Sequence, residues 1–412
     1  MTEPEHYENV DTIIDGLSRH FDSRELSAFM KSIGSITDST LKGNVVLFLE
    51  FLNKRETKEE QQKLISDFDQ LLLSNYLKKK NKIIGISYLG LTKGVFSENV
   101  NDFVRNYLND KDEYLSIFNT YIGMGVFSEV YHKVESTKDG LKTFEIIYGR
   151  SYFRKDDDSH KRVELVKVDF DFDSNQVMFY LPYPVTAAGD IPHTTYGLFV
   201  QLREKIFEDF KVQVLNPDTD RQTFDIYKKY TENNEQEYVQ KVNRADSSSA
   251  NKTEEFYTEM LRRLDPDLLQ STDSQPYVSR IKRVFVRLMV DNYFDDFVRH
   301  IKHGNGYITG FIYTDNMGSS ITGKNGTGQS LDDQEINPLQ ASETYLDTRD
   351  TIYSDGKLFS VRIHFQPLNI AMPFKYDVRI LALDNLLVVH FIRSYVSEER
   401  KDYVFQQLES II

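Results

Sequence analysis

Three groups of residues have the types and spacing that chemistry uses. Asp169, Asp171 and Asp173 alternate along Lys167-Val-Asp-Phe-Asp-Phe-Asp173. In an extended chain their carboxylates share one face, and Val168, Phe170 and Phe172 share the other. Clustered carboxylates take hard divalent cations, and a cation held there is the chemistry of a metal-dependent nuclease or phosphodiesterase. The same alternation describes an ordinary strand with one wet face, and a two-residue step spreads the side chains too far for one ion without help from a neighbouring strand. A nuclease also wants an acidic-x-lysine triplet on a strand. Asp209-Phe-Lys211 and Asp355-Gly-Lys357 have the spacing, but one falls at a predicted helix end and the other in a predicted turn.

The second group is Ile321-Thr-Gly323-Lys-Asn-Gly326-Thr-Gly328-Gln329-Ser330. Against the phosphate-loop spacing G-x-x-x-x-G-K-[ST], Gly323, Gly328 and Ser330 are in register, and Gln329 stands where the lysine should be. Glutamine offers a neutral donor in place of a full charge at the β and γ phosphates. The following Leu331-Asp-Asp-Gln-Glu-Ile-Asn-Pro338 brings carboxylates and a proline where a receiving helix should start. The stretch reads as a glycine-rich surface loop, with a degenerate nucleotide-binding protein as the alternative.

The third group is the densest basic cluster, Arg280, Lys282, Arg283 and Arg287. These cations either meet a nucleic-acid backbone or pair with acids of the same chain. Smaller signals fail on context. His300 and His303, with Asp296 a turn earlier, have the spacing of two ligands on one helical face but lack a third. Gly85-Ile-Ser87-Tyr-Leu-Gly90 misses the nucleophile-elbow spacing by one residue and falls within a strand. His364 and His390 occupy alternating positions in apolar strands, where a histidine is ordinarily a core or edge group. No nucleophile, base and orienting group assemble, so no catalytic residue and no cofactor is nominated.

Composition narrows the classes further. The 412 residues contain no cysteine, which excludes disulfides, thiolate zinc sites and cysteine nucleophiles. A formal net charge of −14 opposes indiscriminate attraction to nucleic acid or to an anionic membrane. No apolar run reaches membrane length, and Met1-Thr-Glu-Pro-Glu-His lacks the basic-then-apolar order of a signal peptide, so the expected compartment is the cytoplasm with no membrane partner.

The elements that must position these residues follow from periodicity. Residues 1–122 read as mainly helical, the clearest helix opening at Thr57-Lys-Glu-Glu60 and running through Leu64, Ile65, Phe68, Leu71, Leu72 and Tyr76. Residues 123–243 read as two hairpins followed by helices, with turns at Lys138-Asp-Gly140 and Asp173-Ser-Asn175. Residues 244–252, which lack an apolar anchor, read as a flexible linker, and 253–412 as a helix, an antiparallel sheet and a closing helix. Ser279 to Ile301 is the strongest amphipathic run, and its spacing predicts a buried face made of Val284, Phe285, Leu288, Phe294, Phe297, Val298 and Ile301. Val284, Val286, Leu288 and Val290 also alternate, so a strand there is the competing assignment. Residues 318–350 read as one long polar loop. The expected class is α+β, a helical N-terminal region followed by two antiparallel sheet regions separated by helices. The expected role is a binding or regulatory protein, with another protein as the first partner and nucleic acid as the second.

Overall fold

A computed structural model describes residues 23–80, 82–90, 122–137, 140–155, 157–184, 187, 191–249, 251–265, 267, 273–302, 304–315, 318–324, 339, 343–366, 376–392 and 397–412. The fold is α+β, with helices at the N-terminal end and one antiparallel sheet of eleven strands into whose sequence the remaining helices are inserted. The two separate sheets expected from the sequence are thus a single hydrogen-bonded sheet, in the order Ser128–Thr137, Gly140–Arg154, Asp157–Asp171, Gln176–Leu181, Ile83–Gly90, Leu386–Phe391, Tyr376–Leu383, Ser360–Phe365, Gly306–Thr314 and Ser320–Lys324, with Gln213–Leu215 paired to Ile83–Gly90. A break in sequence between strand blocks is not a break in a sheet, because hydrogen bonding can rejoin strands far apart in the chain. The chain divides into two compact units, Met1–Pro217 with Leu383–Lys401, and Asp218–Ala382 with Asp402–Ile412. Among the described residues no helix is long and apolar enough to cross a membrane.

In the first unit, α1 (Ser23–Ser32), α2 (Leu41–Leu52) and α3 (Lys58–Lys80) precede β1 (Ile83–Gly90). The α3 helix starts where the capping residue predicts, the Glu60 amide donating to Thr57 Oγ1 at 3.3 Å. Its stripe buries Ile65, Phe68, Leu73 and Tyr76, with Phe68 stacked on Phe48 at 4.3 Å between centroids and the group packed on Val130, Ile147 and Leu165 of the sheet. The strands β2 (Ser128–Thr137), β3 (Gly140–Arg154), β4 (Asp157–Asp171) and β5 (Gln176–Leu181) form an antiparallel run. Asn175 accepts the left-handed backbone (φ 62°) that the β4–β5 turn requires.

The α4 helix (Thr195–Phe210) is capped by Thr194 Oγ1, which accepts from the Gly197 amide at 3.0 Å, and it ends at Lys211 in the left-handed region. It buries Leu198, Phe199, Leu202, Ile206 and Phe210, each contributing about 1.5–3 kcal/mol of apolar transfer. Phe199 meets the edge of Phe179 at 5.2 Å, and Phe210 meets Phe144 and Phe170 at 5.6 and 5.9 Å. The chain then forms the short strand β6 (Gln213–Leu215). Near the C-terminal end β11 (Leu386–Phe391) pairs with β1 over Ile83–Ile86.

In the second unit α5 (Thr219–Ser248) spans 30 residues, about 45 Å at the helical rise. It is followed by α6 (Lys252–Leu264), α7 (Gln275–Asn292), α8 (Phe294–Lys302), β7 (Gly306–Thr314), β8 (Ser320–Lys324), α9 (Glu343–Asp355), β9 (Ser360–Phe365) and β10 (Tyr376–Leu383), with α10 (Glu398–Leu408) entering it at its C-terminal half. The α5 helix buries Phe224, Ile226, Tyr227, Tyr230, Tyr238 and Val242. Tyr227 donates to Tyr345 Oη at 3.1 Å, Thr231 Oγ1 lies 3.1 Å from the same oxygen, and Arg349 donates to Glu235 at 2.6 Å with both side chains nearly sealed. The Tyr227 and Tyr345 hydroxyls and the Arg349–Glu235 pair thus find partners inside the unit.

Two expectations about connections change. Residues 244–248, expected in a linker, are the last turns of α5, and Asp246 there is buried. Residues 318–350, expected as one loop, contain β8 and the start of α9. In both places polar composition conceals regular structure, held by side-chain partners at Asp246 and by backbone pairing with β7 in β8.

Candidate protein-interaction surface

The α7 helix carries apolar residues on two opposite faces. Val278, Val286 and Val290 lie on the inner face, buried at 5%, 5% and 3% exposure, and Val286 and Val290 pack with Tyr238, Val242, Phe297 and Ile301. Two residues along a helix differ by about 200°, so Val284 and Leu288 point away from Val286 and Val290. They are 57% and 51% exposed, and with Tyr277 at 46% and Phe285 at 47% they form an outward stripe. A helix covered on one side needs only one apolar stripe.

The neighbouring α6 repeats the pattern. Its one fully buried residue is Thr253, whereas Phe256, Met260 and Leu264, four residues apart, are 58%, 41% and 72% exposed. The two helices belong together. The Tyr257 and Tyr277 rings stack at 5.6 Å, and Asp246 accepts from the Thr253 amide and hydroxyl at 2.9 and 2.8 Å and from Lys282 Nζ at 2.7 Å. These donors pull the Asp246 carboxyl down to about 2, the Lys282 bond first and the Thr253 bonds after it. At roughly 200 Å² for each large side chain, the seven outward residues expose on the order of 800 Å². One partner contributes about that much to a standard protein–protein interface.

The predicted buried face of this run was therefore partly inverted. Phe297 and Ile301 are fully buried as expected, but Val284, Phe285 and Leu288 are the outward stripe. The run is helical throughout its described length, with a break at Tyr293, so the strand assignment for Val284–Val290 does not hold.

The basic cluster lies on the same helix, and each of its cations is engaged. Arg280 and Arg283 both reach Asp350, at 2.7 and 2.8 Å, Lys282 holds Asp246 at 2.7 Å, and Arg287 holds Asp291 at 2.7 Å. A phosphate backbone would have to compete with carboxylates already in place.

The alternating aspartates do not converge. Asp169 bonds Lys167 Nζ at 2.6 Å, and the same ammonium takes Glu145 at 3.2 Å and lies over the Tyr180 ring. Burial pushes the Asp169 carboxyl up to about 6, with the nearby negative charge of Glu145 acting in the same direction and Lys167 opposing. Asp171 turns to the chain itself, accepting from the Asp173 and Ser174 amides at 3.0 and 3.3 Å, and Asp173 is exposed in that turn. Among the described residues no group of three His, Asp or Glu side chains is placed to hold a metal ion.

Gly323 sits within β8 opposite Phe311, and a β-carbon there would come within 2.5 Å of the Phe311 ring. It is a packing glycine in a strand. Gly328, Ser330 and His303 lie outside the described residues. His364 is buried, its Nδ1 2.9 Å from Asp377.

The other charged centre of note is internal. The Arg150 guanidinium, 1% exposed, donates through Nε and Nη2 to Glu164 at 2.7 and 2.6 Å, to Gln201 at 2.8 Å and to the Pro192 carbonyl at 2.7 Å. It ties β3 and β4 to α4 and to the segment before it. Compared with known proteins, the sequence matches no family model and no curated protein.

Proposed function

We propose that this chain is a binding protein that recognises another protein through the outward face of α6 and α7. One observation carries the reading: α7 is apolar on two opposite sides, and among the described residues Val286 and Val290 are buried in a core cluster whereas Val284 and Leu288 are more than half exposed. Leaving valine, leucine and aromatic side chains in water contributes nothing to this fold, and burying them against a partner is favourable by about 25 cal/mol per Å² before the costs of association. The seven outward residues recur at three, four and seven positions, the spacing at which a pair of helices accepts an amphipathic helix in the groove between them. Nucleic acid is the weaker partner, since Arg280, Lys282, Arg283 and Arg287 already face carboxylates.

Site-specific photo-crosslinking tests the reading. A photoreactive residue in place of Leu288 should give one discrete protein adduct in the native host. The same group at the exposed Lys58 of α3 should give none, and Val284→Asp should abolish the adduct at 288. No adduct at 288, or the same adducts at 58, would overturn the proposal.

A further inference from the structure

The first unit carries a second recognition feature, an open groove of about 500 Å³ between the end of α4 and β6. Strand pairing shows why it is open. Over Ile83–Tyr88 one edge of β1 is occupied by β5, and the opposite edge takes β11 at Ile83–Ile86 and then β6 at Tyr88–Gly90. The β6 strand therefore follows β11 end to end along one edge, and its far edge has no strand against it among the described residues. Backbone amides and carbonyls on such an edge are a template for a further strand.

Side chains give the groove its character. Val212 and Val214 are buried, Phe207 is 49% exposed and Leu215 is 37% exposed, so apolar surface borders the strand edge. Glu204 and Glu208 lie four apart beside Phe207 on the face of α4 that lines the groove, and among the described residues neither carboxylate has an ion pair. Like charges at that spacing disfavour the helix unless a cation comes between them. The cation in the lining, Arg203, lies 5.6 Å from the Phe199 ring centre. Next to the lining, Lys211 donates to the Glu208 carbonyl at 2.9 Å and lies 6.0 Å from the Phe207 ring centre, so both cations are directed at groups other than the two carboxylates. The remaining polar residues, Gln213 and Asn385, are neutral.

We infer that this groove binds an extended, basic peptide segment that adds a strand to β6, sets an apolar side chain against Phe207 and Leu215, and places lysine or arginine between Glu204 and Glu208. Main-chain bonds supply generic affinity in this mode, and the flanking side chains select the sequence. Three residues of edge make a short ladder, so the carboxylate pair is decisive.

The test uses the full chain and a fluorescent six-residue peptide alternating lysine and valine, titrated by anisotropy. Saturable binding is expected. It should weaken about tenfold or more when glutamate replaces lysine in the peptide, or when Glu204→Lys and Glu208→Lys are combined. Alternate N-methylation of the peptide, which removes strand-pairing donors, should weaken it comparably. Glu59→Lys with Glu60→Lys, an equal change in net charge on the exposed start of α3, should leave it unchanged. Absence of saturable binding, equal binding of the N-methylated peptide, or equal loss in the α3 variant would each overturn the inference. A Leu288→Ser chain should bind the peptide normally, which separates this groove from the surface on α6 and α7.

Discussion

The polar floor under α4 and the outward face of α7 treat their side chains in opposite ways. Around Arg150, charges are buried and each finds a partner: Glu164, Gln201 and the Pro192 carbonyl close over the guanidinium. On α7, Val284, Phe285 and Leu288 are about half exposed, while the cations of the same helix are all matched to Asp246, Asp291 and Asp350. A buried charge network with every member satisfied rigidifies a fold and leaves little free for chemistry. An exposed apolar stripe is the reverse, adding nothing to folding and remaining available for association. Packing is thus left incomplete on the outer face of α7 and is complete around the densest buried charge.

The contrast can be broken from either side. The largest effect is expected at the buried pair: Glu164→Gln leaves the Arg150 cation without its carboxylate and should cost about 3–5 kcal/mol in chemical denaturation, whereas Glu164→Leu combined with Arg150→Met should cost far less. A small loss in the single variant would mean that the pair is not sealed. On the inner face of α7, Val286→Ala with Val290→Ala should cost about 2–4 kcal/mol through lost burial and residual cavity. A near-neutral result would show that both faces of the helix are equally uncovered.

A smaller effect is expected at Asp169, and it depends on pH. With the folded carboxyl raised to about 6 from the ordinary 3.8, the folded chain holds a proton between those values that the unfolded chain has released. The stability this group contributes is therefore present at low pH and lost as pH rises through that window. Thermal midpoints of the native chain minus those of Asp169→Asn should decline from pH 4 to pH 6, and a rise would reverse the assignment. The least effect on stability is expected on the outer face. Val284→Ser with Leu288→Ser should change it by no more than about 0.5 kcal/mol per site, while removing the crosslink expected at 288.

Much of the local structure was legible in the sequence, because local rules decide it. Thr57 and the stripe from Leu64 to Tyr76 locate α3, the apolar spacing from Leu198 to Phe210 locates α4, and Asp384-Asn385 marks the β10–β11 turn, with Asn385 at φ 59°. What periodicity could not supply was which of two apolar faces meets the core. Residues 284, 285 and 288 and residues 286 and 290 are both chemically suited to burial, and only the position of α5 decides between them. Nor could it supply partners distant in sequence. Asp350 lies far along the chain from Arg280 and Arg283, and Glu145 reaches Lys167 across a strand pair, so neither the basic cluster nor the alternating aspartates could be judged from spacing alone. The surplus apolar stripe was nevertheless visible in principle, since a helix between Gln275 and Asn292 has more large hydrophobic residues than one contact face can take.

Asp246 gives the surface on α6 and α7 a handle of its own. This carboxylate gathers the start of α6 through Thr253 and the middle of α7 through Lys282 onto the end of α5. It works as a clasp: the spacing of the two stripes is governed by a residue that belongs to neither. Asp246→Ala should therefore let the helices drift apart and blunt partner capture with every outward side chain still in place, a way to detune the surface from behind.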